Sequence, residues 1–194
     1  MSQIKIYLAG PFFNADQLRV IERLEEVLDP ICKLFSPRRE GGTIGKDAKR
    51  SPQQIFEDNY KAIIECDLMV AQIESLDNRP LDIAISSIEK LATGASEINH
   101  NLYKQIKEDA CTVIKEEMEA KLPNYSDIGT IWEMGVAYEL SKPVIAFSPN
   151  KLRKLNVMLL HSCRGFVHDY DKLKEVVVKV LNGESVDAPD VTVY

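Results

Sequence analysis

The chain has 194 residues, 45% of them hydrophobic and 28% charged, which suits one ordinary globular domain and is too short for two of typical size. Lys and Arg total 24 against 30 Asp and Glu, and the net charge of -6 leaves no basic footprint for nucleic acid or an anionic membrane. The start, MSQIKIYLAG, carries no basic or long apolar leader, and the apolar runs PVIAF and NVMLL fall far short of the ~20 residues that cross a bilayer, so a cytoplasmic protein without a membrane partner is expected.

Ile4 to Ala9 is mostly apolar and stops at Gly10-Pro11, as a buried parallel strand does before handing over to a helix. Asn14 is placed to cap that helix, and Leu18, Ile21, Leu24, Val27 and Leu28 recur at helical spacing as far as Asp29-Pro30. A short second strand is predicted over Ile31 to Phe35. The glycine-bearing SPRREGGTIGKDAKR that follows fits neither period and reads as a loop of functional length. Its Arg38, Arg39, Gly41, Gly42 and Gly45 suggest phosphate binding, but the GK[ST] ending and spacing of a P-loop are missing, so a flexible loop is the better reading. Ser51-Pro52 opens a helix running to about Cys66, and DLMVAQI is the third strand.

From about 74 to 124 the pattern is interrupted. Ile98, Leu102, Ile106, Val113, Ile114, Met118 and Leu122 recur at helical intervals, which predicts a helical insertion. It either packs on the core or another subunit, or forms a lid over a site. The alternation then resumes with a helix from about Ile128 to Ser141, a strand PVIAF and a short helix at about Leu155 to Cys163. A strand near Gly165 to His168 and a helix from Tyr170 to Leu181 follow. Strands alternating with helices imply a five-stranded parallel sheet covered on both faces, in a single α/β domain over 1–194. Cys32, Cys66, Cys111 and Cys163 are spread without CxxC pairing and read as reduced packing thiols rather than as a metal site.

In such a sheet a ligand sits beyond the carboxyl ends of the strands, at the switch in strand order. The most informative segment near one of those ends is NYSDIGTIWEMGVAYELSKPVIAF. Apolar residues surround nearly the whole helical circumference, which predicts a helix buried on all sides with Glu133 between Val136, Ala137 and Leu140. A lone carboxylate there costs several kcal/mol unless it is paired or faces a cleft, so Glu133 is either half of a structural ion pair or functional. Asp127 stands where an N-cap stands and can reach the same pocket. Two carboxylates in different environments are the minimal equipment for glycosidic chemistry through an oxocarbenium-like transition state.

These residues resemble the nucleoside 2-deoxyribosyltransferase family. The likeness lies in IYLAGPFFN, NYKAIIECDLMVAQIE, DIGTIWEMGVAYELSKPVIAF and NVML, in that order, across most of the chain apart from the insertion. It implies a flavodoxin-like fold, no cofactor or metal, and a homo-oligomer with shared active sites. It further implies that Glu133 attacks C1′ of a 2′-deoxyribonucleoside, that Tyr7 orients Glu133, and that a free nucleobase then takes the sugar. Asp127 would bind the sugar 5′-hydroxyl together with Asn156 from a neighbouring subunit. Gly10, Pro11 and Phe12 would line the base, with Asn59, Gly129 and Met158 completing the substrate-binding set.

Two departures from the family pattern stand out. Several members carry an aspartate, the expected acid for the leaving base, where this chain has Asn59, and asparagine has no proton to supply. Asp67, eight residues on, reads as a residue that opens a strand, and Asp58 points elsewhere. The second departure is the insertion. Hydrolysis of deoxynucleosides or their 5′-monophosphates is a rival reading, although Asp127 beside a dianion costs about 1 kcal/mol at ~4 Å even in bulk water. A non-catalytic nucleoside-binding domain is another.

Overall fold

Five short apolar segments pair in parallel and build the centre of the protein. The computed structural model describes residues 3–40, 50–73, 127–149, 154–184, 186 and 192–193. The chain divides into two units, Met1–Ser75 with Ser126–Tyr194, and Leu76–Tyr125. All elements below belong to the first. The insertion predicted over 74–124, Cys111 within it, and Gly41, Gly42 and Gly45 lie outside the described residues.

In chain order the elements are β1 (Lys5–Ala9), α1 (Ala15–Leu28), β2 (Lys33–Phe35), α2 (Pro52–Glu65), β3 (Leu68–Gln72), α3 (Ile128–Glu139) and β4 (Val144–Phe147). They are followed by β5 (Lys154–Leu155), α4 (Val157–Ser162), β6 (Gly165–Val167), α5 (Tyr170–Leu181) and β7 (Thr192–Val193). The main sheet runs β2-β1-β3-β4-β6, all parallel, as expected from the alternation. The chain steps outward from β1 to β2 and then returns past β1 to β3, so the switch point lies between β1 and β3.

Alternation along the strands divides the core in two. Ile6, Leu8, Leu68, Val70, Ile145 and Phe147 face α1 and α5, where Ile21, Leu24, Leu173 and Val177 meet them. On the other face Tyr7, Ala9, Met69, Ala71, Val144 and Ala146 pack with Ile63 of α2 and with Met134 and Ala137 of α3. Both faces of each strand are covered, which is why these segments read as nearly continuous apolar runs.

The helix starts follow from capping chemistry. Asn14 Oδ1 accepts from the backbone N–H of Asp16 and Gln17 at 3.0 and 2.9 Å. Ser51 and Gln54 form a capping box with Pro52 at the first helical position. Gly10 is fixed by space: a Cβ there would lie 2.6 Å from Ile21 Cδ1 and 2.9 Å from Gln72 Cβ.

Three expectations need correction. Leu155 does not start a helix; Lys154–Leu155 pair with Thr192–Val193 in a two-stranded parallel ladder, and α4 begins at Val157. β2 begins at Lys33, because Ile31 and Cys32 are still in the turn that leaves α1. The helix predicted to be buried on all sides is α3, yet only Thr130, Met134 and Ala137 are buried in it. It meets the sheet along one line; outside that line Trp132 packs against Phe56 and Tyr60 of α2 at 5.4 and 6.4 Å, and Tyr138 is exposed. Cys32 and Cys66 are free and buried, and Cys163 is free and half-buried. Among the described residues no helix is long and apolar enough to cross a membrane.

Candidate active site

Tyr7 sits in the middle of β1 on the face that α2 and α3 cover, and its side chain is buried. Glu133 lies in the second turn of α3, one residue before the buried Met134. The geometry joins them: Tyr7 Oη donates to Glu133 Oε1 at 2.5 Å. This answers how a carboxylate among apolar neighbours is tolerated. Its partner is a phenol that stays neutral, not a cation.

Burial raises the Glu133 carboxyl to about 7; the hydrogen bond from Tyr7 works against that rise and the negative charge of Asp127 adds to it. The Tyr7 hydroxyl is pushed far above its usual value by burial first, then by the charge and hydrogen bond of Glu133. Near neutral pH the pair is therefore a neutral donor fixed on a carboxyl poised between its two states. A poised, desolvated carboxylate of this kind is suited to nucleophilic attack.

Asp127 is the N-cap of α3, as its position before the helix predicted. Its Oδ1 accepts from Gly129 N at 3.3 Å, and its Oδ2 accepts from Thr130 N at 3.0 Å and from the Thr130 hydroxyl. An ionised carboxylate offers about four lone-pair sites, so acceptor capacity remains for a ligand. Asn156 caps α4, its Oδ1 accepting from Met158 N at 2.9 Å; its amide N–H groups make no bond among the described residues.

The other sequence-predicted residues are spread more widely, and the turn after β1 lies by topology at the carboxyl end of the sheet. Gly10, Pro11 and Phe12 follow β1, with the Phe12 ring stacked on Phe13 at 5.5 Å. Met158 is the second residue of α4 and is exposed. Asn59 is half-buried on α2, one turn before the buried Ile63. Asp67 Oδ2 accepts from the backbone N–H of Lys5 at 2.8 Å, so it does open a strand, and Asp58 pairs outward with Arg50 at 3.1 Å.

The arginines of the loop after β2 depart from expectation. Arg38 and Arg39 are not part of a flexible loop; both turn back onto carboxylates of α1, namely Glu25, Glu22 and Asp29. Sequence reasoning also missed Phe35, whose ring stacks on that of Tyr7 at 5.5 Å and 14°. Phe35 and Tyr7 are register partners, a signal available only once strand order is known. Thr130 was missed too, although a hydroxyl three residues after an N-cap aspartate is a local cue. Among the described residues no three His, Cys, Asp or Glu side chains are grouped to hold a metal ion.

The sequence model of the nucleoside 2-deoxyribosyltransferase family matches residues 6–80. The matched stretch contains Tyr7, Gly10, Pro11, Phe12 and Asn59, while Asp127, Glu133, Asn156 and Met158 lie beyond it. Among solved structures, a 2-deoxyribosyltransferase from the psychrotolerant bacterium Bacillus psychrosaccharolyticus is similar at 24% identity and a TM-score of 0.59, over 91% of this chain and 95% of that one. A conserved protein from Enterococcus faecalis V583 is similar at 18% identity and a TM-score of 0.54, over 92% and 99%. At these identities the likeness is one of fold. No curated protein matches the sequence significantly.

Proposed function

We propose that the protein is a nucleoside 2-deoxyribosyltransferase that moves 2-deoxyribose between nucleobases by double displacement. The observation that carries the reading is the partly buried 2.5 Å bond from Tyr7 to Glu133, on a carboxyl raised to about 7. Ionised Glu133 attacks C1′; the C1′–Oε bond forms as the C1′–N bond breaks, and the electron pair leaves with the base. A second base then displaces the carboxylate, so two inversions give net retention. Tyr7 fixes the rotamer of Glu133 so that the free oxygen faces the sugar.

Asp127 takes the 5′-hydroxyl as donor to its remaining lone pairs. A 5′-phosphate would place negative charge against this carboxylate, which favours free deoxynucleosides. Asn59 offers an amide to the base but no proton, so the departing base takes its proton from water. Asn156 supports the sugar across a subunit boundary in a homo-oligomer.

Incubation with deoxyinosine and adenine tests the reading. Deoxyadenosine and hypoxanthine are expected, with parallel double-reciprocal plots. Free deoxyribose alone would make the protein a hydrolase, and no turnover would leave a binding domain. For the shared site, inactive Glu133→Ala and Asn156→Ala chains should regain activity when they exchange subunits; exchange without complementation refutes it.

A further inference from the structure

Glu25 is a carboxylate on the inner face of α1, and its side chain is only 1% exposed. Its partners come from one short stretch of chain. Ser36 Oγ donates to Glu25 Oε1 at 2.6 Å, Arg38 Nε donates to the same oxygen at 3.2 Å, and Arg38 Nη2 donates to Oε2. Arg39 Nε lies 2.9 Å from Oε2 and its two terminal nitrogens hold Asp29 at 2.8 Å each, while Glu22 shares Arg38 at 3.4 Å. Burial works against ionisation of Glu25, but the hydrogen bonds from Arg38 and Ser36 and the charges of both arginines outweigh it and hold the carboxyl below its usual range.

The place of this cluster gives it meaning. Among the described residues β2 is a three-residue edge strand that pairs with β1 alone, and its ladder ends at Phe35 opposite Tyr7. No strand pairing holds residues 36–40, the described residues that follow. Ser36, the next residue, is buried and bonded to Glu25, and the backbone turns there, with Arg39 N and Glu40 N both donating to Ser36 O. The Phe35 ring lies flat on Tyr7, whose hydroxyl holds Glu133. α1 is itself locked by Ile21, Leu24 and Leu28. A rigid path therefore runs from α1 through Glu25 and Ser36 to Phe35, Tyr7 and Glu133.

We infer that Glu25 is a positioning residue for the Tyr7–Glu133 pair, acting by fastening the end of β2 so that the Phe35 ring stays closed over Tyr7. The inference rests on the role proposed for Glu133. When the fastening is lost, water reaches the pair. Among the described residues the groups that face Glu133 are Tyr7 from β1 and Asp127 from the α3 N-cap, with Cys66 beside Tyr7, and none of them is replaced in the Glu25 or Phe35 variants.

The test follows the Glu133 carboxyl by carbon-13 NMR titration in wild type, Glu25→Gln, Phe35→Leu and the double variant. Glu25→Gln and Phe35→Leu should each lower the Glu133 midpoint by about half a pH unit or more, because burial is the largest cause holding it up. The double variant should move no further than Phe35→Leu, as residues on one path are not additive. An unmoved midpoint in Glu25→Gln, or a Glu25→Gln effect that persists undiminished in the Phe35→Leu background, overturns the inference. If Glu25→Gln does not fold, Ser36→Ala removes one bond of the cluster and is judged by the same criterion. Titration needs no turnover, so a wild type that exchanges no base ends the proposed function and leaves this test standing, whereas an active wild type with an unmoved midpoint in Glu25→Gln ends the inference alone.

Discussion

Tyr7 and Glu133 lie 126 positions apart in the chain, and the hydroxyl of one donates to the carboxylate of the other at 2.5 Å. The bond stabilises the ionised carboxylate, whereas burial and Asp127 disfavour it. The three effects are separable by substitution, because each comes from a different part of the fold.

Tyr7→Phe removes the one influence that lowers the Glu133 carboxyl, so its titration should move upward from about 7. The acid limb of kcat/KM should follow it to higher pH. Asp127→Asn removes a negative neighbour and should move the limb downward. A pH profile of both variants beside the wild type checks the opposite signs; shifts in the same direction would contradict the assignment.

Glu133 also bears on stability. Its folded-state pKa is raised, so its contribution is fully present below its unfolded value of 4.5 and is lost as pH rises through about 7. Ionisation of this one group then costs on the order of 3 kcal/mol at pH 8. Glu133→Gln keeps an acceptor for Tyr7 without the charge. Urea midpoints should show it more stable than wild type at pH 8 and equal at pH 4, while base exchange is lost.

Gly10→Ala should destabilise by about 1–3 kcal/mol, the usual cost of overpacking. The added methyl would meet Ile21 and Gln72 from two elements that are both fixed in the core. Thermal denaturation checks it. Gly135, where a Cβ would meet nothing within 4 Å, serves as the control, and Gly135→Ala should leave stability unchanged or raise it by up to about 1 kcal/mol.

Asp127→Ala should cost about 1 kcal/mol of stability through the lost cap, separately from any effect on the sugar. Asp127→Ser can still cap and should recover most of that stability without recovering deoxynucleoside turnover. Recovery of both by serine would reduce Asp127 to a structural residue.

The parts of the fold that could be read from sequence are those with local signals. Asn14 and Ser51-Pro52 marked two helix starts because capping is a property of four consecutive residues. The strands of the main sheet were legible because burial on both faces leaves unbroken apolar runs. β5 and β7, at two residues each, are too short to carry a period. The misreading of α3 has a different cause: Trp132 and Tyr138 are apolar, but periodicity counts apolar residues without telling what covers them. At the site, Glu133 was legible as a charge out of place. The stacking of Phe35 on Tyr7 and the clasp of Glu25 on Arg38 were not, since both depend on which strand lies beside which.

The order in which the sheet is written into the chain has a cost during synthesis. Leu68 to Gln72 forms the middle strand, and its partner on one side, Val144 to Phe147, leaves the ribosome roughly 70 residues later. At about 5–20 residues per second that is a wait of roughly 4 to 14 s. For that time a strand that is buried along its whole length in the finished fold has β1 on one side and an open edge on the other. Abundant chaperones during synthesis should therefore raise the yield of folded protein more than any change to the finished surface.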